Sequence, residues 1–144
     1  HSMGGYTALA VAGGRAYSEQ RELVEVEPDP RVRALVLLAP ATAWFLAPEA
    51  LRGLDLPILL LEGEHDPITP AWHGDLVQNG VADRRQVTRR VVPGAGHFSF
   101  LTPFPPAMVR PDFAPGNDPP GFDRVAFHRD VLPQEVSGFL EALP

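Results

Sequence analysis

Apolar and polar positions along this chain are grouped in blocks. R-V-R-A-L-V-L-L-A-P, residues 31 to 40, has an aliphatic centre with no polar alternation. Such a run suits a parallel strand buried on both faces. L-P-I-L-L-L-E-G-E-H-D, residues 56 to 66, repeats the pattern, with Pro57 at the entry and a polar turn from Glu62. Q-V-T-R-R-V-V-P, residues 86 to 93, predicts a third, shorter strand that runs into P-G-A-G-H.

The intervening blocks predict helices. Residues 4 to 18 form a small-residue stretch that places Leu9 and Ala10 on one face with Ala12 and Gly13, suited to close packing on a sheet. A polar loop spans Glu25 to Pro30, and a short helix fits residues 46 to 53. Another helix is predicted from Pro70, with Thr69 as N-cap, to Asn79-Gly80. From Phe122 the tail carries Leu132, Val136, Phe139, Leu140 and Leu143 as a helical apolar stripe, which Pro133 is expected to break in two. Strands alternating with helices predict an α/β fold with a parallel sheet, one domain over residues 1–144. Three strands are few for a doubly wound sheet with protected edges, so further strands of the domain are expected outside this sequence.

Composition narrows the class. The 144 residues are 44% apolar and 21% charged, with net charge −6, the profile of a soluble globular chain. The acidic balance argues against a nucleic-acid partner; the local cluster Arg84, Arg85, Arg89 and Arg90 lacks interleaved aromatics and reads as a solvated face. There are no cysteines, which excludes disulfides, thiolate metal sites and a Cys nucleophile. No apolar run reaches the length of a membrane span, and the compartment stays open between cytoplasm and export. Seven of the 17 prolines fall between Pro103 and Pro120, marking one irregular segment.

Ligands of open α/β sheets bind beyond the carboxyl ends of the strands. After Ile58–Leu61 the chain delivers Asp66; after Val91-Val92 it delivers His97; Ser2 stands directly before a Gly-containing helix start. A hydroxyl, a carboxylate and an imidazole thus reach one sheet edge. Serine becomes a useful nucleophile when an imidazole takes its proton, and a buried carboxylate holds that imidazole in the correct tautomer. The helix N-terminus offers amides to a developing oxyanion.

These residues lie in strings that resemble a known family. H-S-M-G-G resembles the nucleophile elbow G-x-S-x-G of α/β-hydrolases, its first Gly falling one residue before His1, and the order Ser2, Asp66, His97 is that of the family. H-S-M-G-G-Y-T-A-L-A, G-E-H-D-P-I-T-P, V-P-G-A-G-H-F-S-F-L and G-F-D-R-V-A-F-H are similar to the dienelactone-hydrolase-like and platelet-activating-factor-acetylhydrolase-like branch, over essentially all 144 residues. The resemblance implies the C-terminal part of an α/β-hydrolase fold. It makes Ser2 the nucleophile, Asp66 the triad acid and His97 the general base, with the Met3 backbone N–H as an oxyanion donor. It further implies hydrolysis of a small-molecule or lipid ester without a cofactor. Acyl transfer by the same triad and a non-catalytic α/β-hydrolase-like scaffold are the alternatives, and this stretch alone is expected to be weakly active or inactive. Dienelactone hydrolases use cysteine; serine here favours an ester, thioester or lipid acyl bond.

Other chemistry-bearing residues rank lower. Glu62 and Glu64 are alternative acids below Asp66, and His65 is expected to point away from it. His73 and Trp72 belong to a predicted helix, and His128 to a packing or hydrogen-bonding role in the tail. No H-x-x-x-H or H-E-x-x-H spacing occurs, so no metal is expected. Phe98, Phe100, Phe104 and Phe113 line either an acyl pocket or the core.

Overall fold

The structure, a computed structural model, describes residues 1–143. Its centre is a three-stranded parallel sheet of β1 (Leu35–Leu38), β2 (Ile58–Gly63) and β3 (Val87–Val92), in the order β1-β2-β3. β2 is aligned Leu35 with Ile58 on one side and Ile58 with Val87 on the other. The aliphatic runs become strands because each can bury both faces. Ile58 and Leu60 enter one apolar cluster with Leu9, Leu35, Leu37 and Val77, whereas Leu59 and Leu61 enter a second with Val92, Phe100 and Phe127. α1 (Met3–Val11) and α2 (Trp72–Gly80) pack on the first face. The tail helix packs on the second through Leu132, Val136 and Phe139. The molecule is thus α/β, a parallel sheet between helical layers.

Several predicted elements are shorter than expected. β1 begins at Leu35 rather than residue 31, because β2 begins beside it: the Leu35 N–H donates to the Pro57 carbonyl at 2.9 Å, and nothing earlier on β2 remains to pair. α1 stops at Val11 rather than residue 18. The amides of Gly13 and Gly14 fold back onto the carbonyls of Ala10 and Leu9, closing the helix, and Tyr17 instead forms an antiparallel bridge with Leu23. Residues 46 to 53 form no helix. After a single 3-10 turn at Ala43–Phe45, the chain runs as successive turns, Ala50 to Ala47, Arg52 to Glu49 and Leu54 to Leu51. Pro48 lacks an amide donor in the middle of that stretch, yet the turns still bury Ala50, Leu51 and Leu54.

Thr69 does not cap α2; that helix starts at Trp72 with Ala71 as N-cap, and the Thr69 side chain is engaged elsewhere. Pro133 does not split the tail. α3 (Arg124–Ala126) runs through a π turn at Phe127–Val131 into α4 (Leu132–Glu141), with Pro133 in the first turn of α4. The wider π turn accommodates a residue that cannot donate to the preceding turn. Leu140 lies off the packed face and is 51% exposed. The arginine cluster is not uniformly solvated either. Arg85 pairs with Asp83 at the surface, but Arg89 is half-buried between Glu62 and Asp75.

Candidate active site

β1 ends at Leu38, and the backbone there grips the start of the chain. The Ser2 N–H donates to the Leu38 carbonyl at 3.1 Å, and the Ala41 N–H to the Ser2 carbonyl at 3.0 Å. Ser2 is thereby held at φ 52° and ψ −120°, with α1 departing immediately after it. This sharp turn requires a close approach between α1 and the loop after β1: a Cβ on Gly5 would lie 2.6 Å from the Pro40 Cβ. A serine before a helix usually caps it, but the Ser2 hydroxyl makes no cap hydrogen bond. It faces His97 instead.

The three sequence-predicted side chains form one hydrogen-bonded chain. Ser2 Oγ is 2.9 Å from His97 Nε2, and His97 Nδ1 is 2.8 Å from Asp66 Oδ2. A carboxylate only accepts, so Nδ1 carries the proton and donates to Asp66. In the neutral ring Nε2 then carries no proton and accepts from the Ser2 hydroxyl. His97 and Asp66 are buried, and Ser2 is half-buried.

Asp66 is fully satisfied. Oδ1 accepts from the Ile68 N–H at 2.8 Å and the Thr69 N–H at 2.9 Å. Oδ2 accepts from His97 Nδ1–H and from the Thr69 hydroxyl at 2.8 Å. Burial works to raise the Asp66 pKa. The bonds from His97, the Thr69 amide, the Thr69 hydroxyl and the Ile68 amide together outweigh it and hold the carboxyl at about 2. Asp66 is therefore anionic at neutral pH.

The Met3 N–H is the first amide of α1 and has no intrahelical acceptor, whereas the Gly4 and Gly5 amides bond to the carbonyls of His1 and Ser2. The positive end of the α1 dipole lies at the same point.

Two further residues enter the site that sequence reasoning missed. His1 Nε2–H donates to the His97 carbonyl at 2.9 Å, and its ring lies 4.7 Å from the His97 ring. Thr69, buried, contacts both Asp66 and His97. The order of residues carries no signal for either contact, since the partner of His1 lies 96 residues away.

The lower-ranked candidates are placed elsewhere. Glu62 pairs with Arg89, and Glu64 Oε2 accepts from the Gly94 N–H at 2.8 Å; His65 is exposed, with its nitrogen beside Glu64. His73 is buried and accepts at Nδ1 from the Thr42 N–H at 2.9 Å, with Trp72 stacked on its ring. Burial lowers the His73 pKa, with Asp66 opposing and His97 adding to the shift. His128 donates to the Ser99 carbonyl at 3.0 Å. Of the four phenylalanines, Phe98 lies edge-on to His97 and Phe100 joins the core. Phe104 and Phe113 pack edge to face with each other. Phe104 lines a cavity of about 430 Å³ whose walls include neither Ser2 nor His97.

Among the described residues no group of three or more His, Cys, Asp or Glu side chains is arranged to hold a metal ion. Among the same residues no helix is long and apolar enough to cross a membrane. Comparison with protein-family models, with curated proteins and with solved structures finds no match to this chain.

Proposed function

We propose that this chain carries the catalytic residues of a serine hydrolase that cleaves carboxylic esters, and that its α/β core is the C-terminal part of an α/β-hydrolase fold. One observation carries the reading: Ser2 Oγ, His97 and Asp66 stand in an unbroken hydrogen-bonded chain at 2.9 and 2.8 Å, in the proton arrangement that general-base attack requires. His97 Nε2 takes the Ser2 proton as Oγ attacks the ester carbonyl, and Asp66 stabilises the imidazolium that results. The imidazolium then gives that proton to the leaving alcohol. Water, activated by the same His97, attacks the acyl-Ser2 ester and releases the acid. The Met3 N–H is the donor for the oxyanion that forms at each tetrahedral stage.

The substrate is a small-molecule or lipid ester, and no cofactor enters these steps. The test is turnover of a short-chain aryl ester by the complete gene product and by its Ser2→Ala variant, with a fluorophosphonate probe as a second readout. Loss of about 10⁴-fold or more in kcat, together with loss of labelling, is expected for Ser2→Ala. Turnover at the parent level in that variant would remove Ser2 from the mechanism. A complete gene product that neither turns over nor labels would favour a non-catalytic scaffold.

A further inference from the structure

Thr69 has more partners than a turn residue needs. It is buried, and its Oγ1 lies 2.8 Å from Asp66 Oδ2, 3.1 Å from His97 Nδ1 and 3.2 Å from the Ala39 carbonyl oxygen. Those three atoms belong to the turn after β2, the loop after β3 and the end of β1, so one hydroxyl touches all three strand ends. Ala39 contributes its carbonyl from a backbone at φ 44°, a conformation that a residue with a Cβ holds only when its surroundings enforce it.

A hydroxyl has one proton and can accept as well. The anionic Asp66 is the better acceptor and the nearer one, so the Thr69 proton goes to Oδ2. The Oγ1 lone pairs then face His97 Nδ1–H, which donates mainly to Asp66 at 2.8 Å and in its weaker branch to Thr69 at 3.1 Å. The Thr69 N–H also binds Oδ1. One residue therefore grips both oxygens of the carboxylate and the proton that the carboxylate receives.

We propose that Thr69 is a positioning residue of the candidate active site, whose hydroxyl fixes the plane of the Asp66 carboxylate and the ring of His97 relative to each other. The role rests on the hydrolase reading, because it acts through His97 and Asp66. Without the hydroxyl, the carboxylate keeps its two amide donors on Oδ1 but is free to turn Oδ2 away from the imidazole. The Nδ1–H loses its second acceptor at the same time. His97 Nε2 then spends less time aligned with Ser2 Oγ.

The experiment compares the complete gene product with its Thr69→Val, Thr69→Ala and Thr69→Ser variants. It measures kcat and KM on an aryl ester, the rate of fluorophosphonate labelling, and the low-field proton resonance of His97 Nδ1–H. Thr69→Val is expected to lower kcat and the labelling rate by about 10- to 100-fold with KM within about twofold, the pattern of lost alignment rather than lost binding. The Nδ1–H resonance is expected to shift in Thr69→Val and to return in Thr69→Ser, along with activity. Thr69→Ala removes the hydroxyl without inserting a methyl group in its place, and decides the matter if Thr69→Val does not fold.

Parent-level kcat with an unmoved resonance in the valine or alanine variant would overturn the proposal. So would a serine variant as slow as the valine one, since packing rather than the hydroxyl would then be at work. If the complete gene product shows no turnover or labelling, the hydrolase reading fails by itself. The resonance alone then reports whether Thr69 orders the Asp66–His97 pair.

Discussion

Ser2 occupies a backbone conformation, φ 52° and ψ −120°, that costs a residue with a Cβ about 1–3 kcal/mol. The local structure that enforces it is the pair of backbone bonds to Leu38 and Ala41 on either side of the residue. The strain aims the hydroxyl at His97 and away from the helix it precedes. Glycine reaches such dihedrals without the Cβ clash, so Ser2→Gly and Ser2→Ala make an informative pair. Both remove the hydroxyl and are expected to be inactive, but Ser2→Gly should exceed Ser2→Ala in unfolding free energy by about 1 kcal/mol. Urea unfolding of the two variants measures the difference, and equal midpoints would mean that the turn is unstrained in solution. Residues of this kind differ in how legible they are. Ser2, Asp66 and His97 could be picked out because each follows an apolar run or precedes a helix, and strand ends are where chemistry collects. Thr69 could not: a threonine before proline reads as a cap, and only the fold brings the Ala39 carbonyl and His97 to its hydroxyl.

Elements were legible in their interiors and not at their ends. Four consecutive aliphatics at Ile58–Leu61 identify a strand buried on both faces, and all four are buried. Where a strand stops depends on its neighbour, which local sequence does not encode; hence β1 is shorter than the run that predicts it, and turns after Phe45 replace a helix. Glu62 is a sharper case, since an acidic residue at a strand end next to Asp66 invites a catalytic reading. In the structure it joins β2 to β3 and α2: its carboxylate binds the Arg89 guanidinium, which also reaches Asp75 at 2.6 Å and the Ala71 carbonyl at 3.0 Å.

The buried Glu62 carboxylate leaves room for only a hydrogen atom at Gly74, where an added Cβ would run into it. Two effects of Gly74→Ala therefore oppose each other. Helix propensity favours alanine by about 1 kcal/mol, whereas displacing Glu62 strands buried charge, and a broken buried pair costs about 3–5 kcal/mol. The second wins, and Gly74→Ala is expected to lose about 2–4 kcal/mol in thermal or urea unfolding. A gain in stability would show that Glu62 can move aside freely.

At the scale of the molecule, several charges pair with close neighbours. Arg31 pairs with Asp29, Arg85 with Asp83, Arg129 with Asp130, and the buried Arg124 with Asp118. The chain as a whole stays acidic, with a net charge of −6. The Arg124–Asp118 pair has a further consequence. Asp118 also accepts from the Ser99 hydroxyl at 2.7 Å, and Ser99 Oγ accepts from the Gly96 N–H at 2.9 Å, so the proline-rich segment is pinned to the loop that carries His97.

These features order the local stabilities. β2 is hydrogen-bonded on both sides and buried on both faces. β1 and β3 each have a single strand partner, and the exposed residues from Pro105 to Pro111 are held by short turns and by the bonds from Phe113 and Asn117 to the Arg110 carbonyl. An amide exchanges by opening, at a free energy set by the packing and hydrogen bonds that opening disrupts. Native-state hydrogen exchange should therefore find the slowest amides in β2, intermediate ones in β1 and β3, and the fastest at Ala107–Arg110. The Ser99 and Gly96 amides should exchange more slowly than those at Ala107–Arg110, because their loop is buried beneath the Asp118 link. If β3 exchanged more slowly than β2, the three-stranded sheet would not be the stable centre of the molecule. An equal rate at Gly96 and Ala107 would mean that the Asp118–Ser99 link does not hold the His97 loop.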